Sequence, residues 1–145
     1  MARGSPVPVS AVLLGIAGLI PFLGFAALAV SGSDGGLSNL GLSPRTILSA
    51  YGAVIASFLG GIRWGAAAAG GGGGKDYGIA ILPSLLAWGA LAAPMPWDLR
   101  ILGILVLAWG VVDLDLPRRG LVPAWLGHLR LGLSTVAGAA LLVAA

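Results

Sequence analysis

Apolar runs long enough to cross a bilayer follow one another along the whole chain, separated by short breaks rich in glycine, proline and charge. A helix needs roughly 20 apolar residues to traverse ~30 Å of hydrocarbon. The pattern predicts five such helices, at about 9–30, 44–69, 77–93, 98–116 and 121–144. The first contains Pro21, which predicts a kink whose freed backbone groups need neighbours. Residues 31–43, rich in Gly, Ser and Asn and carrying Asp34, read as an exposed loop. Ser43 and Pro44 then form a helix start: a serine to cap and a proline suited to the first helical position. Gly70 to Gly74 reads as a flexible tether before Lys75 and Asp76, and the third helix is short, with Pro83 near its start. Pro94 to Trp97 makes a tight break, and the fourth helix ends in Asp113, Asp115, Pro117, Arg118 and Arg119. Connections this short place sequential helices antiparallel and side by side. The expected fold is an all-α integral membrane bundle of five transmembrane helices, forming one domain over residues 1–145 with no internal repeat.

Composition supports the membrane reading and removes several others. Hydrophobic residues make up 58% of the 145 positions and charged residues 9%, against ~25% charged in soluble domains. Five spans leave no room for a soluble catalytic domain. The net charge of +3 rests on eight cations, so it bears on membrane orientation rather than on nucleic acid. With the N-terminus cytoplasmic, the inner flanks hold Arg3, Lys75, Arg118 and Arg119, with Arg63 and Arg130 near the same boundary; the outer flanks hold Arg45 and Arg100. Six cations against two predict a cytoplasmic N-terminus and an outside C-terminus. The run from Val7 to Val30 exceeds the ~7–15 residues of a signal-peptide core, which predicts a retained first span.

Cysteine is absent and His128 is the single histidine, so no metal site and no cofactor is expected. The glycine run is not a phosphate loop. Lys75 is followed by Asp76, Ala69 occupies the first glycine position, and a helix precedes the run.

The chemistry concentrates around Arg63, inside the apolar stretch Tyr51 to Gly65. A guanidinium in hydrocarbon costs roughly 2.5–3.5 kcal/mol on insertion scales and calls for a partner. A ridge of small residues, Ala53, Ser57, Gly61, Gly65 and Ala69, recurs every four positions and predicts a face for a second helix that also shields the arginine. The predicted topology gathers Arg63, Asp113, Asp115, Arg118, Arg119, His128 and Arg130 at the cytoplasmic helix ends. The cluster reads as an inter-helix staple of paired charges, as a pocket for an anionic substrate or lipid headgroup, or as a docking surface for a partner protein. His128 reads as an interfacial side chain rather than a proton relay. Asp113 and Asp115, two positions apart, would point about 200° apart on a helix, which argues against a paired-carboxylate acid/base site. Ser134 and Thr135 have no base beside them and read as packing or backbone-bonded hydroxyls. Trp64, Trp88, Trp97, Trp109 and Trp125 read mainly as an interfacial belt.

The motif Tyr51-Gly52 through Ser57-Phe58-Leu59-Gly60-Gly61-Ile62-Arg63-Trp64-Gly65 resembles the signature of the domain-of-unknown-function family that includes transmembrane protein 69. Leu82-Pro83-Ser84-Leu85-Leu86-Ala87-Trp88, an acidic residue before Arg118-Arg119, and Pro123-Ala124-Trp125 followed by Arg130 extend the likeness over helices two to five. Gly127-His128-Leu129 and the glycine run depart from the pattern. The resemblance implies a small multi-pass protein of a bacterial or mitochondrial inner membrane, here the bacterial one, and transfers no catalytic residue.

The expected role is that of a non-catalytic accessory or assembly subunit of a larger membrane complex, in contact with lipid, with other membrane subunits or with its own copies. The alternative is a small oligomeric carrier or channel that binds an anion or a lipid headgroup through Arg63 and Arg130. An enzyme is not expected, since no nucleophile–base pair is visible.

Overall fold

The computed structural model describes residues 5–145. Arg3, used above for orientation, lies outside them. Among the described residues the only regular structure is helical: α1 (Val9–Ala17), α2 (Ile20–Ser31), α3 (Pro44–Gly70), α4 (Gly74–Ala90), α5 (Trp97–Val112), α6 (Asp115–Arg118) and α7 (Ala124–Ala144), with one 3-10 turn at Leu37–Leu40. Three helical segments are long and apolar enough to cross a membrane: Val9–Ser31, Pro44–Gly70 and Ala124–Ala144.

The first apolar run differs from the single kinked helix expected for it. It breaks at Gly18 and Leu19 into α1 and α2. Pro21 falls in the first turn of α2, where its missing N–H costs no intrahelical bond. The break is pinned from outside, because the Tyr51 hydroxyl donates to the Gly18 carbonyl at 2.8 Å. In the loop after α2, Asp34 accepts from the Gly36 N–H at 3.0 Å and from the Ser38 hydroxyl, folding the segment onto itself.

The start of α3 follows its local sequence. Ser43 Oγ accepts from the Thr46 N–H at 3.1 Å, and Pro44 opens the helix. The glycine run is not the flexible tether expected. Gly70 closes α3 and Gly74 opens α4. Only three residues connect them, with Gly71 at φ +81°. Gly72 lies so close to Ala67 that a Cβ there would stand 2.6 Å from the alanine methyl. A side chain at either position would open this turn, so the glycines make a tight reversal.

α3 is the centre of the bundle. It packs most extensively with α4 and also contacts α2 and α5, while α7 packs along α5 and α2. Leu48, Leu99, Leu102, Leu141, Phe22 and Val106 are fully enclosed where these helices meet. Both principal helix pairs approach through glycine, as membrane helices do when close packing replaces the hydrophobic drive. A methyl group on Gly60 would overlap the Ala80 carbonyl oxygen, with the Pro83 ring 3.4 Å away. Between α5 and α7, a Cβ on Gly103 would lie 3.1 Å from the Gly138 carbonyl, and one on Gly110 would lie 2.8 Å from the Ser134 Cβ.

The four-residue ridge on α3 is therefore placed differently from the expectation. Ala53 is buried, but Ser57, Gly61, Gly65 and Ala69 are exposed, and nothing lies within 4 Å of a Cβ at Gly61 or Gly65. The buried face that encloses Arg63 runs through Gly52, Ala56, Gly60 and Ala67, with Gly60 against α4 and Gly52 against Leu141 of α7 and Leu102 of α5. The tryptophans also divide. Trp64, Trp88 and Trp97 are exposed, whereas Trp109 is a core residue.

Candidate functional site

Arg63 is 1% exposed and stands at the hub of an ion network at one end of the bundle. Its Nη1 donates to Asp113 at 2.9 Å and to Asp115 at 3.0 Å; its Nη2 donates to Asp115 at 3.1 Å and to Asp76 at 3.2 Å. Arg119 forks onto Asp76 at 2.6 and 2.8 Å and reaches Asp115 at 3.4 Å. Arg130, from the second turn of α7, pairs with the far oxygen of Asp113. Three guanidiniums thus face three carboxylates, and the network ties α3, α4, α6 and α7 to the end of α5. Arginine suits this task because its planar fork can hold several carboxylates at once, where lysine offers a single point charge.

Each acidic group owes its position to a local feature. Asp113 caps the C-terminus of α5 and Asp115 opens α6. The helix has ended between them, so the 200° divergence expected for two positions on one helix does not apply. Both carboxylates converge on the same Arg63 nitrogen. Asp76 lies in the first turn of α4, where its Oδ2 accepts from the Gly73 N–H at 3.0 Å. The glycine turn delivers it to Arg63.

Of the residues grouped from sequence, Arg63, Asp113, Asp115, Arg119 and Arg130 come together. Arg118 and His128 do not. They are exposed and flank a shallow depression with Leu114, Pro117, Ala124 and Leu131. Asp76 is the member that sequence reasoning missed. Its one signal was an acid three residues after a glycine at a helix start, the position from which a carboxylate reaches back to the backbone.

Arg119's two hydrogen bonds, helped by the Gly73 N–H, hold the Asp76 carboxyl well below the ordinary carboxylate range against the opposing effect of burial. A carboxyl depressed in the folded state stabilises the fold fully above its unfolded value, ~3.9, and loses that contribution as pH falls further. Thermal unfolding in detergent is therefore expected to be level from neutrality to about pH 4 as far as this pair is concerned, and to lose stability below it. Arg119→Gln should flatten the acid limb. An acid limb as steep in the variant as in the parent would contradict this assignment.

The network has no free charge left for a solute, and among the described residues it contains no thiol, hydroxyl or imidazole positioned as a nucleophile. Its geometry fastens helices. The same arrangement can be set beside known proteins. A profile of the family described as "Protein of unknown function (DUF3429)" matches residues 7–145. The chain belongs to this family. Transmembrane protein 69 of Xenopus tropicalis is 34% identical over 139 residues, covering 90% of this chain and 51% of that protein. The chain thus spans about half the length of the curated relative it matches. No solved structure matches it. Family membership and three helices of spanning length make this DUF3429 chain a helical membrane protein.

Proposed function

We propose that this DUF3429 protein is an accessory or assembly subunit of a larger complex in the bacterial inner membrane and has no chemistry of its own. The observation that carries this reading is the outer face of α3. Ser57, Gly61 and Gly65 lie open beside exposed Val54 and Phe58, a surface another helix can approach closely. The charge-balanced network supports it further, since every carboxylate there already faces an arginine. The alternative, an anion carrier built on Arg63 and Arg130, draws no support from guanidiniums already paired with carboxylates.

The topology that goes with this reading has five spans, α4 and α5 being the shorter two, with the N-terminus cytoplasmic and the C-terminus outside. Its support is the placement of cations. Lys75, Arg118 and Arg119 belong to the network end of the bundle, whereas Arg45 and Arg100 open α3 and α5 at the other. Arg45 Nε also donates to the Ala144 carbonyl at 2.7 Å, joining the start of α3 to the end of α7.

The deciding experiment is to solubilise native membranes in mild detergent and measure the mass and composition of the particle holding this chain. Stoichiometric larger proteins are the expected result. A particle holding this chain alone would sink the proposal. Gly61→Leu should release the partner while leaving the thermal unfolding of the isolated subunit unchanged.

A further inference from the structure

Beneath α1 lies a cavity of about 340 Å³, bounded by α1, α2, α3 and α7 and floored by Val106 of α5. Its walls are hydrocarbon except for two side chains, Arg130 and Ser134. Leu14 and Phe58, 74% and 62% exposed, stand at its rim, so the opening faces sideways, where lipid surrounds the bundle. The covering helix is lightly held: α1 buries none of its residues, and its main contact is with α7.

Arg130 gives the cavity its chemistry. It is 5% exposed, and its terminal Nη2 pairs with Asp113. Its Nε and Nη2 are both buried, and neither makes a hydrogen bond. The charge is thus compensated by the ion pair, while the side chain that lines the cavity keeps buried N–H donors without an acceptor. A buried donor without an acceptor is a standing cost that an incoming acceptor removes. A carboxylate or phosphate would bring a second negative charge to a site that Asp113 has neutralised. A neutral carbonyl oxygen would satisfy the donor without that repulsion.

We propose that this cavity binds a neutral lipophilic molecule carrying a carbonyl oxygen, either an isoprenoid quinone or the ester group of a membrane lipid. The carbonyl accepts from the Arg130 Nε–H, and the tail leaves between Leu14 and Phe58 into the bilayer. The volume is at the lower end of the ~300–1,000 Å³ of small-molecule sites, enough for a ring or the first carbons of a chain, with the remainder outside. Selectivity rests on the Arg130 donor in a wall that is hydrocarbon apart from Ser134. The cavity lies apart from the Ser57, Gly61 and Gly65 stripe proposed above for a partner, and Phe58 alone borders both.

The test uses the full chain, delipidated in detergent, with binding followed by native mass spectrometry. The probes are decylubiquinone and dioleoyl phosphatidylcholine, each against a carbonyl-free counterpart: decylbenzene and the ether-linked phosphatidylcholine. One carbonyl probe is expected to bind saturably at one per chain, roughly tenfold more tightly than its counterpart, as one well-made hydrogen bond to a charged donor provides. Preference for decylubiquinone assigns the quinone; preference for the ester lipid assigns the lipid. Arg130→Lys keeps a cation opposite Asp113 but deletes the Nε–H, and should erase the tenfold preference. Ala11→Phe, on the helix that buries nothing, fills the cavity and should abolish saturable binding with unfolding unchanged. Equal binding of a carbonyl probe and its counterpart, a preference that survives Arg130→Lys, or binding that survives Ala11→Phe would each overturn the proposal. If Arg130→Lys fails to fold, the Ala11→Phe result decides alone.

Discussion

Replacing Arg63 by methionine is expected to destabilise the protein by about 3–5 kcal/mol, the range for removing one partner of a buried ion pair. The loss comes less from the bonds removed than from what is left behind. Asp113, 2% exposed, and Asp76, 3% exposed, would remain buried with half of their compensation gone. Thermal or denaturant unfolding in detergent measures the effect. Arg63→Lys should recover little of it, because one ammonium cannot span the three carboxylates that the guanidinium reaches at 2.9–3.2 Å. Adding Asp113→Asn to Arg63→Met should restore part of the loss, since it removes the charge that the first change orphaned. If Arg63→Met unfolded at the parent temperature, the network would be solvated and worth no more than a surface pair.

Gly60→Leu should be comparably damaging, while Gly61→Leu, one position away, should leave stability unchanged. At Gly60 two effects oppose each other. Removing a helical glycine gains up to ~1 kcal/mol in propensity, but even a methyl there overlaps the Ala80 carbonyl oxygen. The obstacle is backbone, so no rotamer change relieves it and the helices must separate along their length. Overpacking typically costs about 1–3 kcal/mol, so Gly60→Ala should already lose stability and Gly60→Leu more. At Gly61 nothing lies within 4 Å. Unfolding of the two leucine variants side by side, in the same detergent, is the check. Equal stability would mean that α3 is rotated relative to the packing described above.

That pair also shows why part of the site was legible in the sequence and part was not. Arg63 announced itself as a charge inside an apolar run, and the Ser43–Pro44 helix start depends on adjacent residues alone. Both are local signals. The small residues of α3 form two stripes, one through Gly52, Ala56 and Gly60 and one through Ser57, Gly61 and Gly65, each with the same four-residue period. Periodicity cannot choose between them. The arginine could have, because Gly60 and Ala56 precede it by three and seven positions and share its face, whereas Gly61 points about 200° away. Asp76 was out of reach for a different reason. Its role depends on how sharply Gly71 to Gly73 turn, a tertiary outcome that a glycine count does not distinguish from a loose linker. Asp113 and Asp115 were misjudged because the helix was extended past Val112, and one misplaced terminus reverses the geometry of everything beyond it.

The tight glycine turn has a bearing on biosynthesis. Helices of a polytopic protein enter the bilayer before they associate, so Arg63 reaches the membrane ahead of all three of its carboxylate partners. Asp113 and Asp115 follow 50 and 52 residues later, but Asp76 follows after 13. The turn lets that nearest carboxylate arrive as a chaperoning counter-ion while the ribosome is still making the rest of the chain. α3 and α4 can then partition with the Arg63 charge already paired, and the later acids complete a charge balance that Asp76 has begun.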